Sequence, residues 1–338
     1  MRFSKAAALA AVATVAQAQR PDNTSICDYY TTALLKDNTA DNQATLLTLV
    51  VNTVVIGNCE QLDPQFLLLL LGTNRCAPDT QPNVGIEVAG ILAPGKYNGT
   101  DVNLLPYFTG ELASSNRGGD HGVSVNFLDD GGAEPLKNNK PANTESSSQY
   151  FLLTHLYQFF GSLLGCSKQG MPGFDAYGGH ASMYEVHKFM ALDPYEVGYF
   201  ITQVGLAAAS FGVADSDVQA VGTALTSLFD YRCAPPTTVI PSQGAQLQSI
   251  CIEETCPVAE NATCASYQPV VEPSSVSSSE SMSATPTASY STSPGNATST
   301  VPTGSYTSPN PTVIPTAGAA VNGLGLAAAA GGIVAFLL

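Results

Sequence analysis

Eight cysteines spread from Cys27 to Cys264 constrain this chain more than any other feature, because an export-type leader precedes all of them. The leader reads Met1-Arg2-Phe3-Ser4-Lys5, then an alanine-rich apolar run, then Ala16-Gln17-Ala18. A basic start, a short apolar stretch and an A-x-A site define a secretory signal peptide over residues 1–18, cut after Ala18. An even number of cysteines delivered to an oxidising compartment implies a disulfide-stapled domain. Proximity in the sequence pairs Cys59 with Cys76. Cys251, Cys256 and Cys264 read as closures of the end of the domain and not as zinc ligands, since no C-x-x-C spacing occurs.

The opposite end carries a second address. From about Glu272 to Thr316 the composition turns to Ser, Thr and Pro, too polar to build a core, so residues 268–317 read as a disordered, O-glycosylated stalk. Gly318-Ala319-Ala320, a short spacer and an apolar terminus through Leu338 form a glycosylphosphatidylinositol signal over residues 318–338, with attachment at Gly318. Asn322-Gly323 is an alternative attachment site. Sequons at Asn23, Asn98, Asn261 and Asn296 suit an exported glycoprotein. The expected location is the cell surface, on the plasma membrane or in the wall, held by a lipid. Leader, stalk and anchor together resemble the layout of fungal cell-surface proteins. A formal charge of -15 argues against nucleic acid as a partner.

Residues 19–267 are long enough for one sizeable core. Ile26 to Leu35 and Asp41 to Ile56 suggest helices at the front. In the second half, Met183 and His187 are four apart, as are Val186 and Met190, which sets His187 among apolar neighbours on a short helix. Asp193-Pro194-Tyr195-Glu196 starts another helix with an aspartate cap, a proline at the first position and a glutamate completing a capping box. Val197, Phe200, Ile201, Val204, Ala208 and Phe211 carry its apolar face to Gly212. Asp215 or Ser216 caps a third helix, with Val218, Val221, Leu225 and Leu228 facing inward. Long stretches from 57 to 103 and from 109 to 148, the latter rich in Gly, Asn, Asp and Ser, read as loop insertions.

The order Leu164-Gly165-Cys166, Tyr177-Gly178-Gly179, Met183, His187 and two amphipathic helices resembles the C-terminal half of the truncated haemoglobins, the two-over-two globins. The stretch from Ser148 to Cys166 looks like the family's distal helix, with Phe159 and Phe160 as its paired aromatics. Asn103 to Phe108 looks like the stretch whose aromatic packs on the haem face. The resemblance implies an all-α, globin-like domain with insertions, haem b as cofactor and His187 as proximal iron ligand. Phe108, Leu152, Leu156, Phe160 and Met183 would line the pocket. Lys188 would meet a propionate, and His155 would lie at the pocket edge or act as a sixth ligand. Cys166 would pair with Cys233, since both flank the globin-like half. A neutral imidazole is the usual proximal donor to haem iron, its other nitrogen held by a second group. A histidine among apolar helix residues is also a common hydrogen-bonded core residue.

Two functions follow from different classes. One is an extracellular haem protein that binds O2 or NO, or haem itself, at the cell surface. The other is a cofactor-free structural or adhesion protein of the wall on a globin-like skeleton. G-x-S-x-G, H-E-x-x-H and a nucleotide-type G-x-G-x-x-G are all absent, so the enzymatic version compatible with the residues is haem-dependent peroxidase-like or nitric-oxide chemistry.

Overall fold

A computed structural model describes residues 20–58 and 85–276. The leader with Ala18, the Cys59 and Cys76 pair, Asn296, Gly318 and the anchor signal lie outside the described residues. The helices follow their local signals closely. α1 (Ile26–Leu35) starts at Ser25, whose Oγ accepts the Asp28 N–H at 3.1 Å, and α2 (Ala40–Ile56) starts at Thr39, whose hydroxyl accepts from Asn42. Strands β1 (Gly95–Tyr97) and β2 (Thr100–Val102) form a hairpin across Asn98-Gly99, both at positive φ as a tight two-residue turn requires. α3 (Leu105–Thr109) covers the stretch likened to the haem-face segment, and β3 (Leu112–Ser115), β4 (Val123–Ser124) and α4 (Ala133–Lys137) lie in the second stretch that read as loop. Then come α5 (Ser148–Leu163), α6 (Met183–His187), α7 (Pro194–Ser210), α8 (Asp215–Phe229) and a last strand, β5 (Ser274–Ser275).

The all-α, globin-like expectation is therefore corrected. The domain mixes helices with two small antiparallel sheets, β1-β2 and β4-β3-β5. The reason is that residues 95–124 carry turn chemistry and short alternating stretches that pair with one another instead of looping freely. β5 shows a further departure. Ser274 and Ser275 belong to the Ser/Thr/Pro-rich segment, yet they pair with Ala113 and Leu112, and the Val276 N–H donates to Glu111 O at 2.8 Å. The first residues of the expected stalk are thus seated on the domain.

The core runs between the long helices. α2 packs on α5 and α7, and α7 on α8. Leu49, Val55, Leu153, Val197 and Leu225 are all buried there, with Leu136 of α4 closing one side. A polar tie lies inside it: the Tyr157 hydroxyl donates to Asn52 Oδ1 at 2.6 Å, and Asn52 Nδ2 donates to Leu136 O at 3.1 Å. Burying these groups is tolerable because each is bonded.

The expected cap of α8 is also corrected. Ala214 precedes that helix without a side-chain cap, so neither Asp215 nor Ser216 takes the role. Asp217, two residues into the helix, is instead buried in a knot with the chain start. Arg20 donates twice to its Oδ1, at 3.1 and 2.9 Å, the Tyr30 hydroxyl donates to its Oδ2 at 2.8 Å, and Tyr30 in turn accepts the Ala214 N–H at 2.9 Å.

Among the described residues three disulfides join Cys27–Cys166, Cys233–Cys264 and Cys251–Cys256. The Cys166–Cys233 pairing is corrected. Cys166 follows the turn after α5, where Leu164 O accepts the Cys27 N–H at 3.1 Å, and that contact brings α1 and not the chain after α8 to Cys166. Cys233 is taken by Cys264, whose neighbour Thr263 bonds through its N–H to Cys233 O at 2.8 Å.

Candidate functional site

The helix carrying His187 is one and a half turns long and is held from every side. Ser182 caps it, accepting the Glu185 N–H at 3.2 Å while its own hydroxyl donates to Leu247 O at 2.7 Å. The buried Gln248 accepts the Met183 N–H at 3.2 Å and donates to Ala181 O at 2.9 Å. Asn116, after β3, donates to Glu185 O. The Tyr184 hydroxyl accepts the Gln268 N–H at 2.8 Å, and its ring meets Tyr267 edge-on at 4.6 Å. So short a helix is not stable by itself and owes its order to these ties.

His187 Nδ1 lies 2.8 Å from Met183 O. The carbonyl can only accept, so Nδ1 carries the proton and the neutral ring keeps the Nε2 lone pair. Desolvation lowers the imidazole pKa below its usual value and outweighs the Met183 carbonyl, which raises it, although the side chain keeps a partly exposed edge. A neutral histidine with one nitrogen fixed by a backbone carbonyl matches what a metal-bound imidazole requires.

The expected walls do not form a slot around it. Phe160 and Met183 are buried members of the main core, and Phe108, Leu152 and Leu156 pack half-buried against that same core. On α5 the inward face is Gln149, Leu153, Tyr157 and Phe160, which leaves Leu152 and Leu156 to its side. A flat macrocycle needs an open cleft between such walls, and here these side chains are packed into or against the main core. An open depression of 480 Å³ lies elsewhere, lined by Pro94, Gly95, Lys96, Asp101, Val102 and Asn103 at the β1-β2 hairpin. The donor thus fits haem and the walls do not.

Other expected participants have structural partners. Lys188 pairs with Glu185 at 2.8 Å. His155 packs against Phe151, ring centres 4.1 Å apart, and meets Tyr177 edge-on at 5.9 Å, with Nδ1 bonded to Phe151 O. Asp129, for which the sequence analysis named no role, accepts the Ser148 and Gln149 N–H groups at 3.0 Å each and so caps α5 from the preceding loop. Among the described residues no cluster of His, Cys, Asp and Glu is arranged to hold a metal ion.

One ionisable pair escaped the reading of spacing. The Tyr107 hydroxyl donates to Glu196 Oε1 at 3.0 Å and lies 3.2 Å from Met190 O, while Glu196 Oε2 accepts the Asp193 N–H at 3.1 Å. The capping box announced Glu196, but nothing local announced that α3 would cover it. Burial raises its pKa from 4.5 to about 7. The fold therefore prefers the protonated carboxyl, so the native state binds more protons than the unfolded chain between these values. This group's share of stability is complete below pH 4.5 and is lost as pH rises through about 7. Asp230, raised by burial to about 6, acts in the same sense. Glu196→Gln is expected to melt closer to the wild type at pH 4 and to gain on it at pH 8. An unchanged difference in Tm at the two pH values counts against the assignment.

Fold and site define a class: a disulfide-stapled domain of mixed helix and strand with two small sheets, carrying one trussed histidine and no metal-type cluster among the described residues. Comparison with protein-family models, characterised proteins and solved structures found no match to this chain.

Proposed function

We propose that this chain is an exported, lipid-anchored cell-surface protein whose stapled domain serves as a structural or adhesion module of the wall. The observation that carries the reading is the set of three disulfides, which reach from α1 to the far end of the domain. Such bonds persist in oxidising compartments. The leader, stalk and anchor signals point the same way. Support for a role through surface contact and not chemistry comes from where the candidate reactive groups lie: Lys188 and His155 are each engaged in holding the fold.

Haem ligation by His187 is the second reading, favoured by its Nδ1 bond to Met183 O, which leaves Nε2 in the form that binds iron.

One experiment separates the two. The domain from residue 19 to 276, purified after secretion, is titrated with hemin beside His187→Ala. The structural reading expects a weak, broad absorption that the variant reproduces. A sharp stoichiometric Soret band lost in the variant rejects that reading and establishes haem ligation. Release of the full-length protein from intact cells by a phosphatidylinositol-specific phospholipase tests the anchor.

A further inference from the structure

The sequon Asn261-Ala262-Thr263 is immediately followed by Cys264, and the fold treats its two ends differently. Asn261 lies exposed in a turn at φ +57°, a conformation that asparagine tolerates well. A glycan there would point into solvent and leave the fold undisturbed. Thr263 is the opposite: its Oγ1 is buried with no hydrogen-bond partner, and its N–H is committed to Cys233 O at 2.8 Å. Thr263 is pinned in this position by its neighbour, because Cys264 is bonded to Cys233.

Glycosylation of a sequon needs the hydroxyl two residues on presented together with the asparagine amide in an open segment. In the fold with the disulfide closed, that hydroxyl is buried and out of reach. Asn98 provides the contrast. It stands at the exposed tip of the β1-β2 hairpin, its sequon continues through Gly99 to Thr100, and no cysteine adjoins it.

We propose that Asn261 is an N-glycosylation site whose occupancy is set by a race between glycan transfer and closure of the Cys233–Cys264 disulfide. In the transfer, Asn261 Nδ2 forms a bond to the anomeric carbon of a lipid-pyrophosphate-linked oligosaccharide. The carbon–oxygen bond to pyrophosphate breaks, the lipid pyrophosphate leaves with the bonding pair, and an amide proton passes to solvent. In the closure, two thiols join, release two protons and pass two electrons to a disulfide-bearing oxidoreductase of the secretory compartment. Only 31 residues separate the two cysteines, so they meet soon after Cys264 enters that compartment. Chains that close first keep a bare Asn261, and chains glycosylated first fold with the glycan outward. The secreted protein is then a mixture of two glycoforms.

This inference rests on the reading of the chain as exported, and the test keeps the two apart. The full chain is expressed in a eukaryotic secretory host, and occupancy of the Asn98 and Asn261 peptides is measured by mass spectrometry for wild type and Cys233→Ser, which leaves the sequon intact. Both secreted and intracellular chains are read, so a folding defect in the variant does not hide the result. A second arm labels wild-type chains during brief exposure of the cells to dithiothreitol, which keeps the thiols reduced. Partial occupancy at Asn261 is expected in wild type, rising about two-fold or more in both arms, since disulfide closure spans seconds to hours and overlaps glycan transfer. Occupancy at Asn98 is expected to stay constant. Asn261 occupancy that is full, absent or unmoved in both arms while Asn98 carries a glycan overturns the proposal. Chains bare at both sites and confined to the cells overturn the export reading, whereas secreted chains bare at both sites overturn the proposal alone.

Discussion

Gly90→Ala is expected to cost about 3 kcal/mol or more of unfolding free energy, the sum of backbone strain and overpacking. Gly90 has φ +82°, and an added Cβ would stand 2.6 Å from the Ile56 carbonyl carbon and collide with the Gly57 nitrogen. Neither neighbour can yield. The chain at 88–92 caps the open end of α2, with the Ile91 N–H donating to Val54 O at 2.8 Å and the Leu92 N–H to Val55 O at 3.1 Å. The Gly90 N–H itself donates to the buried Gln203 side chain at 3.0 Å, and the Tyr199 hydroxyl donates to Gly90 O at 3.2 Å. Gly99→Ala is the control. Gly99 has a similar φ of +85°, yet nothing lies within 4 Å of its added Cβ, so it carries backbone strain alone, about 1 kcal/mol. Urea midpoints of the two variants test the difference; equal losses contradict the close approach of α2 and Gly90.

Removing the Cys27–Cys166 bond by a paired change to serine is the second large effect. The two residues are 139 apart in sequence. Chain-entropy reasoning for so long a loop sets the loss at about 5 kcal/mol, with measured values for native bonds between roughly 2 and 5. For a domain of this size that corresponds to a drop in Tm of about 10 °C. The paired change at Cys251 and Cys256 is the natural comparison, because only 5 residues separate them and the same model gives about 2 kcal/mol. Calorimetry of both double variants decides the point. A Cys27/Cys166 variant no less stable than the short-loop variant means that α1 is held by its other contacts. Those are the Arg20, Tyr30 and Asp217 knot and the Gln43 amide, which donates to Asp28 Oδ1 at 2.6 Å.

The elements that were legible share one property: their signals are local. Asp193 and Glu196 complete a capping box through bonds three residues apart, so α7 could be read from four letters. Asn98-Gly99 forces a hairpin for a similarly local reason, yet a stretch treated as insertion concealed it. The β4-β3-β5 sheet was harder to find. Its strands are two to four residues long, and β5 arrives from about 160 residues downstream in a segment whose composition speaks for a stalk. Short strands carry almost no periodicity, so pairing and not pattern defines them.

The same division runs through the candidate site. The short helix that bears His187 was visible from Met183 and His187 at a four-residue step, and its Nδ1 bond to Met183 O spans that very step. The walls were not visible, because whether Phe108, Leu152 and Leu156 face a cofactor or one another depends on how α3 and α5 are rotated against the core. Glu196 illustrates the point from the other side: its capping role is local, while its raised pKa comes from burial beneath Tyr107, which lies 89 residues away.

By itself, then, the sequence determined the helices with clear caps and the short helix under His187. These depend on contacts within a turn or two of chain. The tertiary structure alone decided the mixed helix-and-sheet fold, the joining of Cys166 to Cys27 and of Cys233 to Cys264, the seating of Ser274 and Ser275 on β3, and the burial of Thr263 Oγ1. Each of those joins residues distant in sequence or depends on which side chains lie over a given atom, and local propensity carries no information about which distant surfaces meet.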